Sequence, residues 1–212
     1  MADRRVAGGL VIVFEGIDGV GKTTQIDLVR QNLADQGWNV QARRNLGGTP
    51  IGEALREVIK SPLERPGLTN LYISAAIQEA LAGAIQADRA AGKIVLMDRG
   101  PISLAAYAAY GDGLDPAVGW PYVERGMQLL KPELTIIYQA DVDQALKQAS
   151  QKPSAGDYFE NQPLEYFARV AQGYHEASKR YPDAVVIDAN RDIDAIQTDT
   201  MQRITRLLQS KS

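Results

Sequence analysis

The sequence contains no cysteine and a single histidine, His175. The lack of cysteine excludes disulfide bonds, thiol nucleophiles and cysteine-ligated zinc together. One histidine cannot form a histidine metal cluster, and it leaves a Ser-His-Asp triad only one candidate base. Chemistry in this chain must therefore depend on lysine, arginine, carboxylates, hydroxyl groups and backbone amides.

The sequence also lacks long apolar runs and a strong net charge. No apolar stretch reaches the roughly 18 residues of a membrane-spanning helix, and residues 1–9 lack the apolar core of a secretion signal. The formal net charge is -3 over 212 residues, so nothing marks a nucleic-acid polymer or an anionic membrane as a partner. We expect a cytoplasmic protein with a single domain spanning residues 1–212.

Short aliphatic runs recur along the chain without alternation between apolar and polar residues. This pattern is typical of strands that are buried on both faces of a parallel sheet. The predicted strands are Leu10–Phe14, Ile94–Met97, Leu134–Tyr138 and Val185–Ile187, with a weaker one at Asn39–Ala42. Helical spacing predicts helices at Thr23–Gln36, Ile51–Lys60, Leu68–Ala91, Ile102–Ala109, Pro116–Leu130, Gln162–Arg180 and Ile193–Gln209. Strands that alternate with helices imply right-handed βαβ units, and hence a three-layer α/β/α sandwich with a five-stranded parallel sheet.

One long segment between these elements, Gln148–Gln162, has the composition of a loop. It is polar and contains Lys152, Pro153 and Gly156. A long loop late in an α/β domain is a candidate lid over a binding site. We therefore predict a lid at about residues 148–161.

The strongest motif follows the first predicted strand and opens the first predicted helix. Residues 16–23 read G-x-x-x-x-G-K-[ST], the phosphate-binding P-loop. Its glycines let backbone amides turn inward around phosphate oxygens, and the helix N-terminus adds a favourable partial charge. The strand and helix on either side argue against the alternative, a chance match. The motif predicts a site for ATP with Mg²⁺, in which the nucleotide contacts Gly16, Gly19, Gly21, Lys22, Thr23 and Thr24.

Within this site the motif assigns two side-chain roles, and the end of a neighbouring strand suggests two more. Lys22 is expected to reach the β- and γ-phosphates, and the hydroxyl of Thr23 to bind Mg²⁺. A carboxylate at the end of a neighbouring strand would complete the metal site, because ligands of open parallel sheets bind at the carboxyl ends of strands. Asp98 closes the predicted strand Ile94–Met97 and suits this role through a water, while Arg99 would face a phosphate. The alternative is a surface ion pair after a strand.

An extended string around the P-loop resembles the thymidylate kinase family of nucleoside monophosphate kinases. Phe14–Gln25 reads F-E-G-I-D-G-V-G-K-T-T-Q, which is similar to the string of that family. Further similar blocks occur in the same order at Gly47–Glu53, at Asp98-Arg99 with Ser103, Ala106 and Tyr107, and at Asp157–Glu160 with Leu164–Phe167. The resemblance spans residues 10 to about 190. It implies a P-loop NTPase fold and transfer of a phosphoryl group from ATP to dTMP.

The resemblance also implies roles for individual residues. The catalytic residues would be Lys22, Arg99, Asp18 and Lys152. Asp18 would approach the sugar hydroxyl of the acceptor nucleotide, and Arg99 would bridge the acceptor and donor phosphates. Members of the family are typically homodimers, so a homodimer is expected, and the alanine-rich helix at Leu68–Ala91 is a candidate for its contact.

Three further residues would contact the acceptor. Arg44 would bind its phosphate, Tyr72 would stack on its base, and Tyr107 would line the sugar pocket and disfavour a 2′-hydroxyl. Each has a structural alternative. Arg44 could be a solvated strand end, Tyr72 could pack in the core, and Tyr107 could simply fill space beside the helix after Asp98.

Four features depart from the pattern of the family. The position four residues after Tyr72, usually an arginine that binds the thymine edge, is Ala76. The segment usually read T-R-E-P is R-R-N-L at Arg43–Leu46, and the residue after Tyr107 is Ala108 rather than glutamine. The P-loop has Val20 where a basic residue can occur, and residues 148–160 contain no arginine, which leaves Lys152 as the cation of the lid.

These departures leave two alternatives to dTMP phosphorylation open. The chain could act on a different phosphorylated small molecule, or it could bind nucleotide with only weak transfer. A switch or motor GTPase is disfavoured, because the sequence has no N-K-x-D segment for reading guanine.

Overall fold

The structure is a computed structural model that describes residues 3–151, 158–159 and 161–211. Five strands form one sheet, and each neighbouring pair is parallel, in the order β2-β3-β1-β4-β5. The strands are β1 (Leu10–Glu15), β2 (Val40–Arg44), β3 (Ile94–Asp98), β4 (Leu134–Gln139) and β5 (Val185–Asp188). This topology confirms the predicted α/β class and the five-stranded parallel sheet.

Helices cover both faces of the sheet. They are α1 (Lys22–Asp35), α2 (Pro50–Lys60), α3 (Gly67–Ala90), α4 (Ile102–Ala105), α5 (Pro116–Leu130), α6 (Val142–Ala149), α7 (Leu164–Arg180) and α8 (Ile193–Ser210). Val11 and Val13 of β1 pack with α3, whereas Leu10, Ile12 and Phe14 belong to a larger cluster with residues of α1, α7 and α8. Alternate side chains of a strand point to opposite faces, so the three layers follow from β1 being buried along its whole length. None of the helices within the described ranges is long and apolar enough to cross a bilayer.

The pairing register brings two predicted site segments together at one edge of the sheet. β1 lies between β3 and β4, and Phe14 at its end pairs with Asp98 at the end of β3. The P-loop that follows β1 therefore lies beside the Asp98-Arg99 pair. Arg44, at the end of β2, also pairs with Asp98, so the carboxyl ends of three adjacent strands meet at this point.

Helix α6 was not predicted, and it changes the position of the predicted lid. Asp141 precedes it, and the carboxylate of Asp141 accepts a hydrogen bond from the Gln144 amide at 3.0 Å, which is the local signal for a helix start. The helix continues to Ala149, so the predicted lid boundary at residue 148 lies inside its last turn. Lys152 lies outside the described residues.

The predicted helix at Ile102–Ala109 has two parts. Helix α4 is one turn long and continues as a π-helical segment, Ala106–Gly111, in which the Asp112 amide donates to the carbonyl of Tyr107 at 2.8 Å. Gly111 ends this segment against α7, where an added Cβ would lie 2.7 Å from the Tyr166 ring. A π-helical turn often occurs at a functional site, and this one carries Tyr107.

Candidate active site

A cavity of about 910 Å³ opens at the carboxyl edge of the sheet. Its walls come from the P-loop, the ends of β2 and β3, helices α2 and α3, the π-helical segment and the end of α6. The predicted site residues that line it are Asp18, Gly19, Gly21, Lys22, Thr23, Thr24, Arg44, Asp98, Arg99 and Tyr107. The structure therefore brings most of the predicted site together in one place, although Gly16 is not among the described residues that line it.

The P-loop presents the start of α1 to this cavity. Gly21 has a left-handed backbone with φ 88° and no side chain to cap the helix, so the first amides of α1 keep their donor capacity for an anion. Gly19 is also left-handed, and an added Cβ would lie 1.7 Å from the carbonyl oxygen of Ala145 in α6. The loop is therefore held against α6, and a glycine is required there for space as well as for conformation.

Lys22 is folded into the P-loop. Its Nζ donates to the carbonyl oxygens of Gly16 at 2.9 Å and Ile17 at 2.7 Å, and only 6% of the residue is exposed. Burial, and then repulsion from Arg99, lowers the pKa of Lys22 to about 8. A phosphate in the loop would offer this ammonium a stronger, oppositely charged partner than two carbonyl groups.

Thr23 and Asp98 meet across the gap between α1 and β3. The Thr23 hydroxyl donates to Oδ2 of Asp98 at 3.4 Å. A hydroxyl and a carboxylate are the hard oxygen ligands that Mg²⁺ prefers, and this ion usually keeps several waters. The donor set therefore fits the predicted metal.

Arg99 is held at both nitrogens of its guanidinium. Nη2 donates to Asp18 Oδ1 at 2.6 Å and to the Tyr107 hydroxyl at 2.8 Å, while Nη1 donates to the Gly16 carbonyl at 2.9 Å and to the Tyr174 hydroxyl at 3.1 Å. Its backbone has φ 65°, a left-handed conformation that is costly for a residue with a Cβ. Such a backbone persists only where the surroundings hold it, so Arg99 occupies a position fixed by its contacts.

Asp18 accepts hydrogen bonds on both carboxylate oxygens, from Arg99 and, at 2.9 Å, from the hydroxyl of Tyr107. Burial acts to raise the pKa of Asp18, but the charges of Arg99 and Lys22 outweigh it and hold the pKa at about 2. The carboxylate therefore stays ionised at neutral pH. It can accept a hydrogen bond from a bound ligand, but it is a weak base.

Sequence reasoning missed a buried group behind Arg99, formed by Glu15, Ser103 and Tyr174. The Glu15 carboxylate is fully buried and accepts hydrogen bonds from the Ser103 hydroxyl at 2.6 Å and the Gly100 amide at 3.0 Å. Burial raises the pKa of Glu15, although Ser103 and the charge of Arg99 oppose the shift. Glu15 is the last residue of a strand and Tyr174 belongs to a distant helix, so no local pattern connects them.

The wall of the cavity formed by the end of β2 and by α2 carries additional cations. Arg44 forms an ion pair with Glu53 at 2.8 Å and is 51% exposed, and Arg56 Nη1 donates to the carbonyl of Leu46 at 2.7 Å. Lys60 lines the same wall. Asn45, which replaces the acidic residue of the family segment, donates to the Gly100 carbonyl at 3.2 Å. This contact joins the end of β2 to the turn after Arg99.

Tyr72 is not brought into the cavity. Its ring is 53% exposed on the outer side of α3 and contacts Tyr122, with 6.1 Å between the ring centroids. Ala76, one turn later, is also exposed. Asn70 and Ser74 line the cavity instead, because residues four apart share a face of a helix. The structure thus corrects the expected position of Tyr72, and the missing arginine at residue 76 does not alter the cavity wall.

The described part of the predicted lid contributes aromatic rings. Phe159 lines the cavity and meets the Tyr107 ring edge-on at 5.5 Å. Tyr158 lies under the guanidinium of Arg65 at 4.4 Å, and its hydroxyl donates to Asp112 at 3.4 Å. Arg65 thus supplies an arginine beside the lid, although the lid sequence contains none.

Comparison with known proteins places the chain in a family. A model of the family described as thymidylate kinase matches residues 14–200. The thymidylate kinase of Methylococcus capsulatus is 35% identical over 207 residues, covering 94% of this chain and 97% of the relative, and that of Pelotomaculum thermopropionicum is 32% identical, with 94% of each covered. The crystal structure of the thymidylate kinase from Ehrlichia chaffeensis superposes with a TM-score of 0.74 at 27% identity, covering 93% of this chain and 99% of the other. These similarities confirm the resemblance read from the sequence, and this chain belongs to the thymidylate kinase family.

Proposed function

We propose that this protein is a nucleoside monophosphate kinase that transfers the γ-phosphoryl group of ATP to dTMP and gives ADP and dTDP. The relatives named thymidylate kinase support this acceptor. The observation that carries the reaction class is the convergence of Lys22, Arg99 and the Thr23–Asp98 pair on one cavity. A cavity of this size is at the upper end of the range for small-ligand sites, which suits two nucleotides that share a phosphate region.

The P-loop side would bind the donor. Lys22 would exchange the carbonyl groups of Gly16 and Ile17 for phosphate oxygens, and the amides at the start of α1 would surround the same phosphates. Thr23 and Asp98 would hold Mg²⁺, which, when bound, neutralises charge on the phosphates. The exchange at Lys22 would occur when the nucleotide binds, so that little reorganisation is required at the moment of transfer.

The Arg99 side would bind the acceptor. An oxygen of the acceptor phosphate bonds to the γ-phosphorus while the bond from that phosphorus to the bridging oxygen of ADP breaks. The attacking oxygen is already ionised, so no general base is required, and Asp18 with its low pKa would only accept a hydrogen bond from the sugar. Arg99 and Arg44 would neutralise the acceptor phosphate, and Tyr107 beside Asp18 would crowd a 2′-hydroxyl.

The lid would complete the site when it closes. Lys152 is the cation that the lid sequence offers to the migrating phosphoryl group, and a lysine provides a point charge rather than the planar fork of an arginine. Closure would also exclude water and so limit hydrolysis of ATP.

We further propose that the chain acts in the cytoplasm as a homodimer of single-domain subunits. The outer side of α3 supports a contact between copies, because Tyr72, Ala76 and Gly83 are all exposed there and the last two are small. Small residues let helices approach closely. Light scattering at micromolar concentration tests this proposal, and a monomeric mass would count against it.

The direct test of the reaction measures ADP formation from ATP and Mg²⁺ with dTMP, dUMP, dCMP, dAMP, dGMP and the ribonucleotides, plus a control without acceptor. We expect turnover that is fastest with dTMP and close to zero in the control. Stimulation by a different nucleotide alone would keep the reaction class and change the acceptor. No stimulation by any nucleotide would overturn the proposal and favour a chain that binds nucleotide without efficient transfer.

A further inference from the structure

We propose that Glu15 and Tyr174 are positioning residues that fix the guanidinium of Arg99 for phosphoryl transfer. They act with Ser103 through a buried chain of hydrogen bonds, here called the Arg99 support. The inference rests on the proposed function, since it concerns how that reaction positions one of its arginines.

The Arg99 support has a definite hydrogen-bond direction. Arg99 Nη1 can only donate, so the Tyr174 hydroxyl accepts from it at 3.1 Å. The Ser103 hydroxyl donates to Glu15 Oε2 at 2.6 Å, because a carboxylate only accepts. Tyr174 then donates to Ser103 at 2.8 Å, and Glu15 Oε2 is a more distant alternative acceptor for the same hydrogen at 3.4 Å. Each hydroxyl accepts one bond and donates one, so the chain runs without a mismatch from the guanidinium to the carboxylate.

Glu15 also fixes the backbone on which Arg99 lies. Its Oε1 accepts from the amides of Gly100 at 3.0 Å and Ser103 at 3.3 Å. The Arg99 amide itself donates to the Phe14 carbonyl at 2.9 Å, next to Glu15 in β1. The Glu15 carboxylate thus holds the left-handed turn at Arg99 directly, and it holds the guanidinium of Arg99 through Ser103 and Tyr174.

The location of the support distinguishes it from the substrate contacts. Asp18 and Tyr107, which contact Nη2, line the cavity, whereas Tyr174 and Glu15 are not among the described residues that line it, and Ser103 connects the two sides because it lines the cavity as well. Both are essentially buried, with Tyr174 1% exposed. Nη1 therefore bonds to the buried Tyr174, while Nη2 bonds to two residues of the cavity wall. A support of this kind acts on geometry, and small errors in the position of a charged group reduce rate more than binding.

An ionisable group such as Glu15 is energetically unfavourable at a buried position where only packing is required. A carboxylate loses its hydration at a fully buried position and is tolerated only when hydrogen bonds replace the water. Every described hydrogen bond of the Glu15 side chain goes to the turn after Arg99, to Ser103 or to Tyr174. The carboxylate therefore serves the position of Arg99 and the turn that carries it.

The test compares two buried tyrosines. Tyr174→Phe removes only the hydroxyl of the support. Tyr138→Phe is the matched control, because Tyr138 is also 1% exposed and its hydroxyl bonds to Thr200 at 2.8 Å, on the side of α8. We expect Tyr174→Phe to lower kcat about 10- to 100-fold with KM for ATP and dTMP changed less than about 3-fold, and Tyr138→Phe to leave kcat within about 2-fold.

A double-mutant cycle with Arg99→Lys shows whether the effect passes through the arginine. We expect Tyr174→Phe to slow the Arg99→Lys protein by less than about 2-fold, because the group it positions is already gone. Glu15→Gln, with thermal unfolding measured alongside, should reduce kcat in the same direction as Tyr174→Phe. If Glu15→Gln fails to fold, Ser103→Ala interrupts the same chain and takes its place.

Three results would overturn the inference: an unchanged kcat for a folded Tyr174→Phe protein, an equal loss for Tyr138→Phe, or a full multiplicative loss in the Arg99→Lys background. These results differ from failure of the proposed function, in which the unmodified protein would be inactive with every acceptor. That outcome would remove the basis of this inference as well.

Discussion

The two ends of the cavity are built in different ways. At the P-loop end, charged groups contact one another directly, as Arg99 does Asp18, and strand ends hold them in place. At the lid end, α3, the π-helical segment and Phe159 supply mainly uncharged walls, and the lining side chains there include Leu71, Ser74, Leu104 and Ala108. On the proposed function, groups at the ends of the strands would bind the phosphates, whereas side chains of α3 and the π-helical segment would select the acceptor.

The largest effect should come from breaking the P-loop end at its cation. Lys22→Ala removes the ammonium that neutralises charge on the transferred group, and we expect kcat to fall about 1000-fold. Steady-state ADP formation with dTMP measures the change, and circular dichroism confirms that the variant is folded. A variant with full turnover would contradict the mechanism.

The second prediction concerns the contact that holds the P-loop against α6. Gly19→Ala would force a Cβ to within 1.7 Å of the Ala145 carbonyl, so the loop or the helix must move. We expect a loss of about 3 kcal/mol in the free energy of unfolding, together with weaker ATP binding.

Gly113→Ala is the matched control for this substitution. Gly113 is also left-handed, with φ 77°, but an added Cβ meets nothing within 4 Å. Gly113→Ala should lower the free energy of unfolding by only about 1 kcal/mol, which is the cost of placing a Cβ in a left-handed conformation. Equal losses in urea unfolding of the two variants would show that the contact with α6 is unimportant.

A smaller effect should appear in the pH dependence of stability. The folded-state pKa of Lys22 is about 8, below its ordinary value of 10.5, because of burial and the charge of Arg99. Between these values the unfolded chain binds more protons at this site, so the contribution of Lys22 to the free energy of unfolding rises with pH. Below pH 8 Lys22 is charged in both the folded and the unfolded state, so the full destabilisation from burying its charge is present.

Lys22→Met tests this linkage in the protein without nucleotide. We expect it to be more stable than the unmodified chain by about 1–3 kcal/mol at pH 7, and the difference to shrink as pH rises from 8 toward 10. Urea unfolding at several pH values measures the gap. A stability difference that stays constant between pH 8 and pH 10 would contradict the lowered pKa of Lys22.

The smallest effect should come from the lid end. Tyr158→Phe removes a long hydrogen bond to Asp112 but keeps the ring under Arg65. We expect less than about 1 kcal/mol of lost stability and a change in KM for dTMP of about 2-fold or less. A fall in turnover as large as that of Lys22→Ala would show that the lid end contributes as much to the reaction as the P-loop end.

Much of the P-loop end could be predicted because its signals are contiguous in the chain. An aliphatic run predicts each buried strand, and the spacing of residues 16–23 predicts the phosphate loop together with the lysine that serves it. Asp98 and Arg99 could be added because the carboxyl ends of parallel strands meet at one edge of a sheet. Local composition and a general rule of topology were therefore sufficient to predict which residues lie at the P-loop end.

The remaining features depend on contacts between segments far apart in the sequence. The direction of Tyr72 follows from which side of α3 packs on the sheet, and α3 is apolar on more than one side. The π-helical turn at Tyr107 packs against α7, which lies far along the chain. Tyr174 reaches Arg99 across 75 residues, and Glu15 gains its role only when that hydroxyl and Ser103 close around it. Short-range patterns specify elements and motifs, whereas the packing of helices onto the sheet decides which side chains meet.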